Sequence, residues 1–214
     1  MTNAKKASRS QFWLDWVMGL ILLVSLMGMA LNNAAIGGLN QSHPLFMAFI
    51  QFGILSTFGE LLSQRLAHGQ WSFSRIVSRC VIWGLVGIWI ALAFPFTAIG
   101  VGGLVDAGLW PTGLLPFSIS LWANVFSGYG LFMMLTQRWA SQMLDQGIIP
   151  PWEIFSSPDF SGWIKVVLIS LVVFWVPAHT ITFLLPEAWR VLFAAVLGVA
   201  LGVILGFQPK SPRP

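Results

Sequence analysis

Charge is what this sequence has least of. Its 214 residues include 11 Lys and Arg and 7 Asp and Glu, only 8% of the chain, where a soluble domain holds about 25%. So few charges cannot clothe a water-soluble globule of this size, and a chain that is 57% hydrophobic is not disordered either. Cysteine is nearly missing: the single Cys80 excludes an internal disulfide, a multi-thiolate metal site and a CxxC redox pair. Catalytic signatures are absent as well, with no HExxH, no GxSxG, no carboxylate cluster and no phosphate loop. Gly100-Val101-Gly102-Gly103 precedes no Lys, and His43, His68 and His179 lie too far apart to share a metal. No enzyme activity, cofactor or metal is therefore expected. The basic residues are scattered singly or in pairs, so the net charge of +4 forms no face for nucleic acid. No soluble partner is indicated.

What is present is apolar length. A bilayer core needs roughly 20 apolar residues per helix, and such runs fall at 13–35, 45–66, 76–96, 114–135, 163–184 and 189–207. The first is too long for a signal-peptide core. Glycine, proline and polar clusters separate the runs: Gly37-Gly38 and Asn40 to Pro44, then His68-Gly69-Gln70, then Gly100 to Pro111, then a longer region holding Pro150-Pro151. In that last region residues 138–145 read as a short interfacial helix. Ten of the 11 basic residues lie on the amino-terminal side of such a topology: Lys5, Lys6, Arg9, Arg65, Arg75, Arg79, Arg138, Lys165, Lys210 and Arg213. Only Arg190 lies outside. By the positive-inside rule the fold is an all-α, polytopic membrane bundle of about six transmembrane helices with both termini cytoplasmic. Most of the 12 Trp sit at segment ends or in loops, as interface anchors do. Membrane lipid is the expected partner.

The polar residues inside these segments are the informative ones. Gly53, Ser56, Thr57, Glu60, Ser63 and Gln64 recur every three or four residues, which puts them on one helix face. A carboxylate at membrane depth costs about 3 kcal/mol or more unless it is paired or wetted. Glu60 therefore either lines an aqueous path or sits in a structural ion pair, for which Arg79 is the first partner and Arg75 the second. Pro177 should kink the fifth segment. Asp106, His179 and Arg190 fall at a similar outer height and read either as the ring of an outer mouth or as separate caps of nearby carbonyls. Asn124 and Ser127 should bond neighbouring helices. Ala194, Gly198, Gly202 and Gly206 form a ladder at four-residue spacing that lets another helix approach closely. That neighbour belongs to the same chain or to a second copy, so a homo-oligomer stays open.

Residues 43–207 also carry a recognisable set of motifs. His43-Pro44 opens a helix that reaches Gly59-Glu60-Leu61-Leu62-Ser63-Gln64. Later come Trp175-Val176-Pro177, Phe183, Pro186 and Trp189-Arg190-Val191-Leu192-Phe193-Ala194. The pattern resembles the Mpv-seventeen and twenty-two-kilodalton peroxisomal membrane protein family. Glu60 stands where that family usually has Asp, His179 where it often has Gln, and the Phe183–Arg190 spacing is one residue short. The resemblance implies a family-like helical domain over 43–207, preceded by an extra transmembrane helix in 1–42 and followed by a short basic tail, 208–214. It further implies a small membrane protein, some of whose relatives behave as channels. Its signature positions are Glu60, Ser63, Gln64, Trp175, Pro177, Phe183, Pro186 and Arg190.

The expectation is thus a channel or pore for ions or small polar metabolites, with a non-transporting scaffold as the alternative. The setting is a bacterial inner membrane, or an organellar membrane if the source is eukaryotic.

Overall fold

The computed structural model describes residues 11–206 apart from Asn32 and Ile148. Among the described residues the chain is helical throughout, with no strand. Two helices open it, α1 (Phe12–Leu31) and α2 (Asn33–Ser42), in place of the one span expected over 13–35. The long helices α3 (Pro44–His68) and α4 (Ile76–Asp106) follow. Then come α5 (Leu115–Leu121), a π turn Trp122–Phe126 and α6 (Tyr129–Gln146). A 3-10 turn, Pro151–Ser156, leads to α7 (Phe160–Ser170), a second π turn (Leu171–Trp175), α8 (Val176–Leu184) and α9 (Glu187–Gly206).

Among the described residues three helices are long and apolar enough to cross a membrane: Pro44–His68, Ile76–Asp106 and the continuous Phe160–Leu184. A fourth is added if the pair on either side of residues 127–128, bent by 50°, is taken as one span. Along α4 the large apolar residues Val77, Val81, Leu85, Leu92, Phe96 and Ile99 are all exposed, at successive turns of one face. A patch of that length is untenable against water and natural against lipid. These features are consistent with an integral membrane protein.

Several boundaries differ from the sequence reading, each for a local reason. α4 does not stop near residue 96 but runs ten residues further, to Asp106, past Pro95 and the glycines at 100, 102 and 103. An apolar setting tolerates proline within a helix, and Thr97 Oγ1 turns its polar group inward, donating to the Ala93 carbonyl at 2.8 Å. The expected span 114–135 is broken instead, because Gly128 adopts a left-handed φ of 70°. The separate interfacial helix at 138–145 does not exist; those residues are the far end of α6. At Pro177, which has no N–H to offer, the preceding turn widens to π geometry.

The core rests on close helix approach. Gly53 meets the Cys80 carbonyl and Gly84 of α4, and Gly87 meets Ala48 and Phe52, so α3 and α4 run antiparallel with little between them. Gly198 and Gly202 of α9 lie against Ser56 and Gly59 of α3 in the same way. At the other end Asn40 Nδ2 donates to the Ala188 carbonyl at 2.7 Å, so α9 runs parallel to α3. The small-residue ladder thus serves a neighbour in the same chain. Ala194 is buried in that core; the surroundings of Gly206 lie outside the described residues, as do Lys5, Lys6, Arg9 and the tail 208–214.

Candidate functional site

The polar stripe on α3 divides between two surroundings. Gly53 is spent on the α4 seam, and Thr57 is buried away from open space, its hydroxyl without a partner among the described residues. Ser56, Glu60, Ser63 and Gln64 instead line a cavity of about 310 Å³ inside the bundle. The six residues expected to line one path are therefore not all on it. Thr57 shares the angular position of Gln64, two turns further along the helix, but at its own level of the bundle it is buried against neighbouring helices.

Glu60 is held rather than free. Arg79 of α4 donates to its Oε1, and Trp83 Nε1 donates to its Oε2 at 2.8 Å. Arg79 is itself buried and also reaches Asp145 at the end of α6, 2.7 Å away. Arg75 is not part of this cluster; it precedes α4 in a left-handed conformation. Two further ion pairs gather at the same end of the bundle. Asp15 of α1 takes a two-pronged contact from Arg65, at 2.7 Å on each oxygen, and a third bond from Trp71 Nε1. Arg138 reaches Asp159 at 2.8 Å and lies over the Trp163 ring, 4.7 Å from its centre. Burial pushes the Asp159 carboxyl up, but the Arg138 and Ser157 contacts outweigh it and hold the group below the ordinary carboxylate range.

From Glu60 the cavity runs past apolar walls of Val86, Ile90, Met133 and Met134 to a second polar group formed by Asn124, Trp175 and His179. His179 is buried, not at an outer mouth as the sequence suggested. Its ring packs 5.1 Å from Trp175 and 5.3 Å from Phe94, centre to centre. The Asn124 amide faces its Nδ1, with Nδ2 at 3.0 Å and Oδ1 at 3.2 Å. Asn124 Nδ2 also donates to the Ser120 carbonyl at 2.8 Å, and Ser120 Oγ to the Val176 carbonyl at 2.7 Å, which stitches α5 to α8. Ser127, by contrast, bonds locally: its Oγ donates to the Ala123 carbonyl at 3.3 Å and accepts from the Tyr129 N–H at 3.2 Å.

The expected outer cluster is not assembled. Asp106 is exposed at the end of α4. Arg190 caps the end of α8, donating to the carbonyls of Leu185 at 3.1 Å and Phe183 at 3.4 Å, with its guanidinium over the Phe183 ring. A bare carbonyl row at a helix end attracts a cation more directly than a distant carboxylate does. Pro186 sits in the turn between these two helices. Arg190 does line another cavity, of about 630 Å³, together with Asn40, Pro95 and Glu187 at the opposite end of α3 from Glu60. Sequence reasoning passed over Phe94, which forms part of the walls of both cavities. It is buried and wedged against Phe183, 4.9 Å away. Among the described residues no group of three or more His, Cys, Asp or Glu is placed to hold a metal ion.

Compared with family models, curated proteins and solved structures, the chain matches none.

Proposed function

We propose that the protein is a six-span membrane protein, both termini on the cytoplasmic side, that gives a small solute passage through its helical bundle. The single observation carrying this reading is the pair of cavities at opposite ends of α3 that share Phe94 as a wall. Pro44 and Glu60 are 16 residues apart, about 24 Å along a helix, so the two spaces divide most of a bilayer core between them. The walls between the polar groups are apolar and the Glu60 charge is engaged by Arg79, which favours uncharged or weakly polar solutes over bare ions. Membership of the Mpv-seventeen family is part of the same proposal. It rests on the motifs at Gly59 to Gln64 and at Trp175 to Ala194.

The test is solute efflux from vesicles containing the purified protein, with Phe94→Ala opening the partition and Phe94→Trp thickening it. Efflux should rise in the first and fall in the second. If parent and Phe94→Ala vesicles are both as tight as protein-free ones, solute passage is wrong. The scaffold reading then stands on a different observation, the tight α3–α9 seam at Gly59, Gly198 and Gly202.

A further inference from the structure

The inner end of the cavity holds donors that the protein leaves unused. Asn124 Nδ2 is fixed as a donor by its bond to the Ser120 carbonyl, and the shorter of its contacts to His179 has that same nitrogen donating to Nδ1. The ring proton then belongs on Nε2, for which no partner exists among the described residues. Trp175 Nε1, one helical turn before His179, is likewise unpartnered, and both residues are more than nine-tenths buried on the same wall. A buried donor left unmade carries a substantial penalty, so two on one wall are a feature to be explained. The space beside them is bounded by the side chains of Met133, Met134, Ile90 and Phe94, and adaptable methionines suit a shape that varies. Its volume, about 310 Å³, is at the small end for ligand sites.

We infer that this cavity is a binding site for an uncharged, mainly apolar small molecule that presents a hydrogen-bond acceptor, a carbonyl above all, to His179 Nε2. This rests on the cavity being the solute path proposed above, and names the class of solute. A carboxylate is disfavoured, because among the described residues no cation stands near His179: Arg79 is at the Glu60 end and Arg190 caps α8 from the other cavity. A pure hydrocarbon would leave His179 Nε2 unmet. The carbonyl can come from a free small molecule or from the acyl ester of a lipid.

The probe is benzophenone, two rings joined by a carbonyl, with diphenylmethane as its match lacking the oxygen. Detergent-purified protein should gain thermal stability with benzophenone and about tenfold more diphenylmethane should be needed for the same shift, the worth of one buried hydrogen bond. His179→Phe, which keeps a ring against Phe94 and Trp175, should abolish the difference. Under near-ultraviolet light benzophenone inserts into C–H bonds, preferentially beside methionine sulfur, so adducts should map to Met133 or Met134. Adduct yield that rises when diester vesicles are replaced by diether ones assigns the carbonyl to a lipid; equal yield assigns it to a free molecule. Equal potency of the two compounds on the parent protein, or adducts confined to lipid-facing Met27, overturns the inference. Should His179→Phe fail to fold, the matched pair on the parent protein still decides. Binding with tight vesicles would leave this site standing and remove only the passage.

Discussion

The sharpest test of the packing is a single methyl group at the α3–α9 seam. In Gly202→Ala the new Cβ would stand 2.5 Å from the carbonyl carbon and 2.8 Å from the Cα of Gly59, and closer still to its oxygen. Carbon atoms in contact rest at about 3.5–4.0 Å, so α9 has to withdraw by about 1 Å. The atoms in the way are backbone, which has no rotamer to escape into. Overpacking of this kind costs about 1–3 kcal/mol, and the upper end applies. Alanine gives back about 1 kcal/mol over glycine in a helix. The net is a loss of about 2 kcal/mol, or about 4–8 °C in thermal midpoint for a chain of this length. Gly100→Ala is the control: it lies within α4 with nothing near its Cβ, so only the propensity gain applies and the midpoint should rise by about 2–4 °C. Melting in mild detergent, followed by tryptophan fluorescence with the oligomeric state checked by size, reads both. A Gly202→Ala protein as stable as the parent, with Gly100→Ala unchanged, would refute the close seam.

Other perturbations separate the charged groups. Arg79→Met should destabilise more than Glu60→Gln, since the first strands two carboxylates, one of them half-buried beside Trp83, whereas a glutamine can still accept from Arg79 through its one carbonyl oxygen and loses only the Trp83 bond; paired thermal melts rank them. Asp159 is held below its ordinary value, so its contribution is complete above the unfolded value of about 4 and is lost as pH falls through the folded one. Its side chain is largely exposed, so Asp159→Asn should remove no more than about 1 kcal/mol at neutral pH and flatten the loss of stability below about pH 4. Asn40 bridges Gln51 Nε2, at 2.8 Å, and the Ala188 carbonyl. Asn40→Leu should thus lower the melting temperature by more than an exposed change such as Gln41→Leu, because it leaves a buried amide and a carbonyl unmet.

How much of this was legible in the sequence follows from what apolar surroundings make expensive. Glu60 stood out because a carboxylate at depth demands a partner, and an arginine at the start of the next segment is the nearest candidate; the structure places Arg79 there. The ladder ending in Gly198 and Gly202 was visible because small residues at that spacing permit an approach that larger ones forbid. Asp145 and Asp15 gave no such signal. Both lie near segment ends, where a charge is cheap, and their pairing depends on how helices distant in sequence are arranged. The overrun of α4 through Pro95 was hidden for a related reason. Proline and glycine break helices in water, whereas in apolar surroundings a helix that passes them keeps more of its backbone bonds than any alternative would.

Phe94 is the instructive omission. A phenylalanine within an apolar run is indistinguishable from any other core residue, and only the arrangement of α4 against α8 brings it to the walls of both cavities. The same holds for the unused donor of Trp175, an ordinary residue until its partner fails to appear. Sequence therefore reveals groups whose presence in lipid is costly, and it conceals groups whose role is to bound an empty space. For a membrane protein that passes or binds uncharged molecules, the second kind does most of the work, since neither the solute nor its path needs a charge. The two variants at Phe94 and the matched ketone and hydrocarbon at His179 address that concealed set directly.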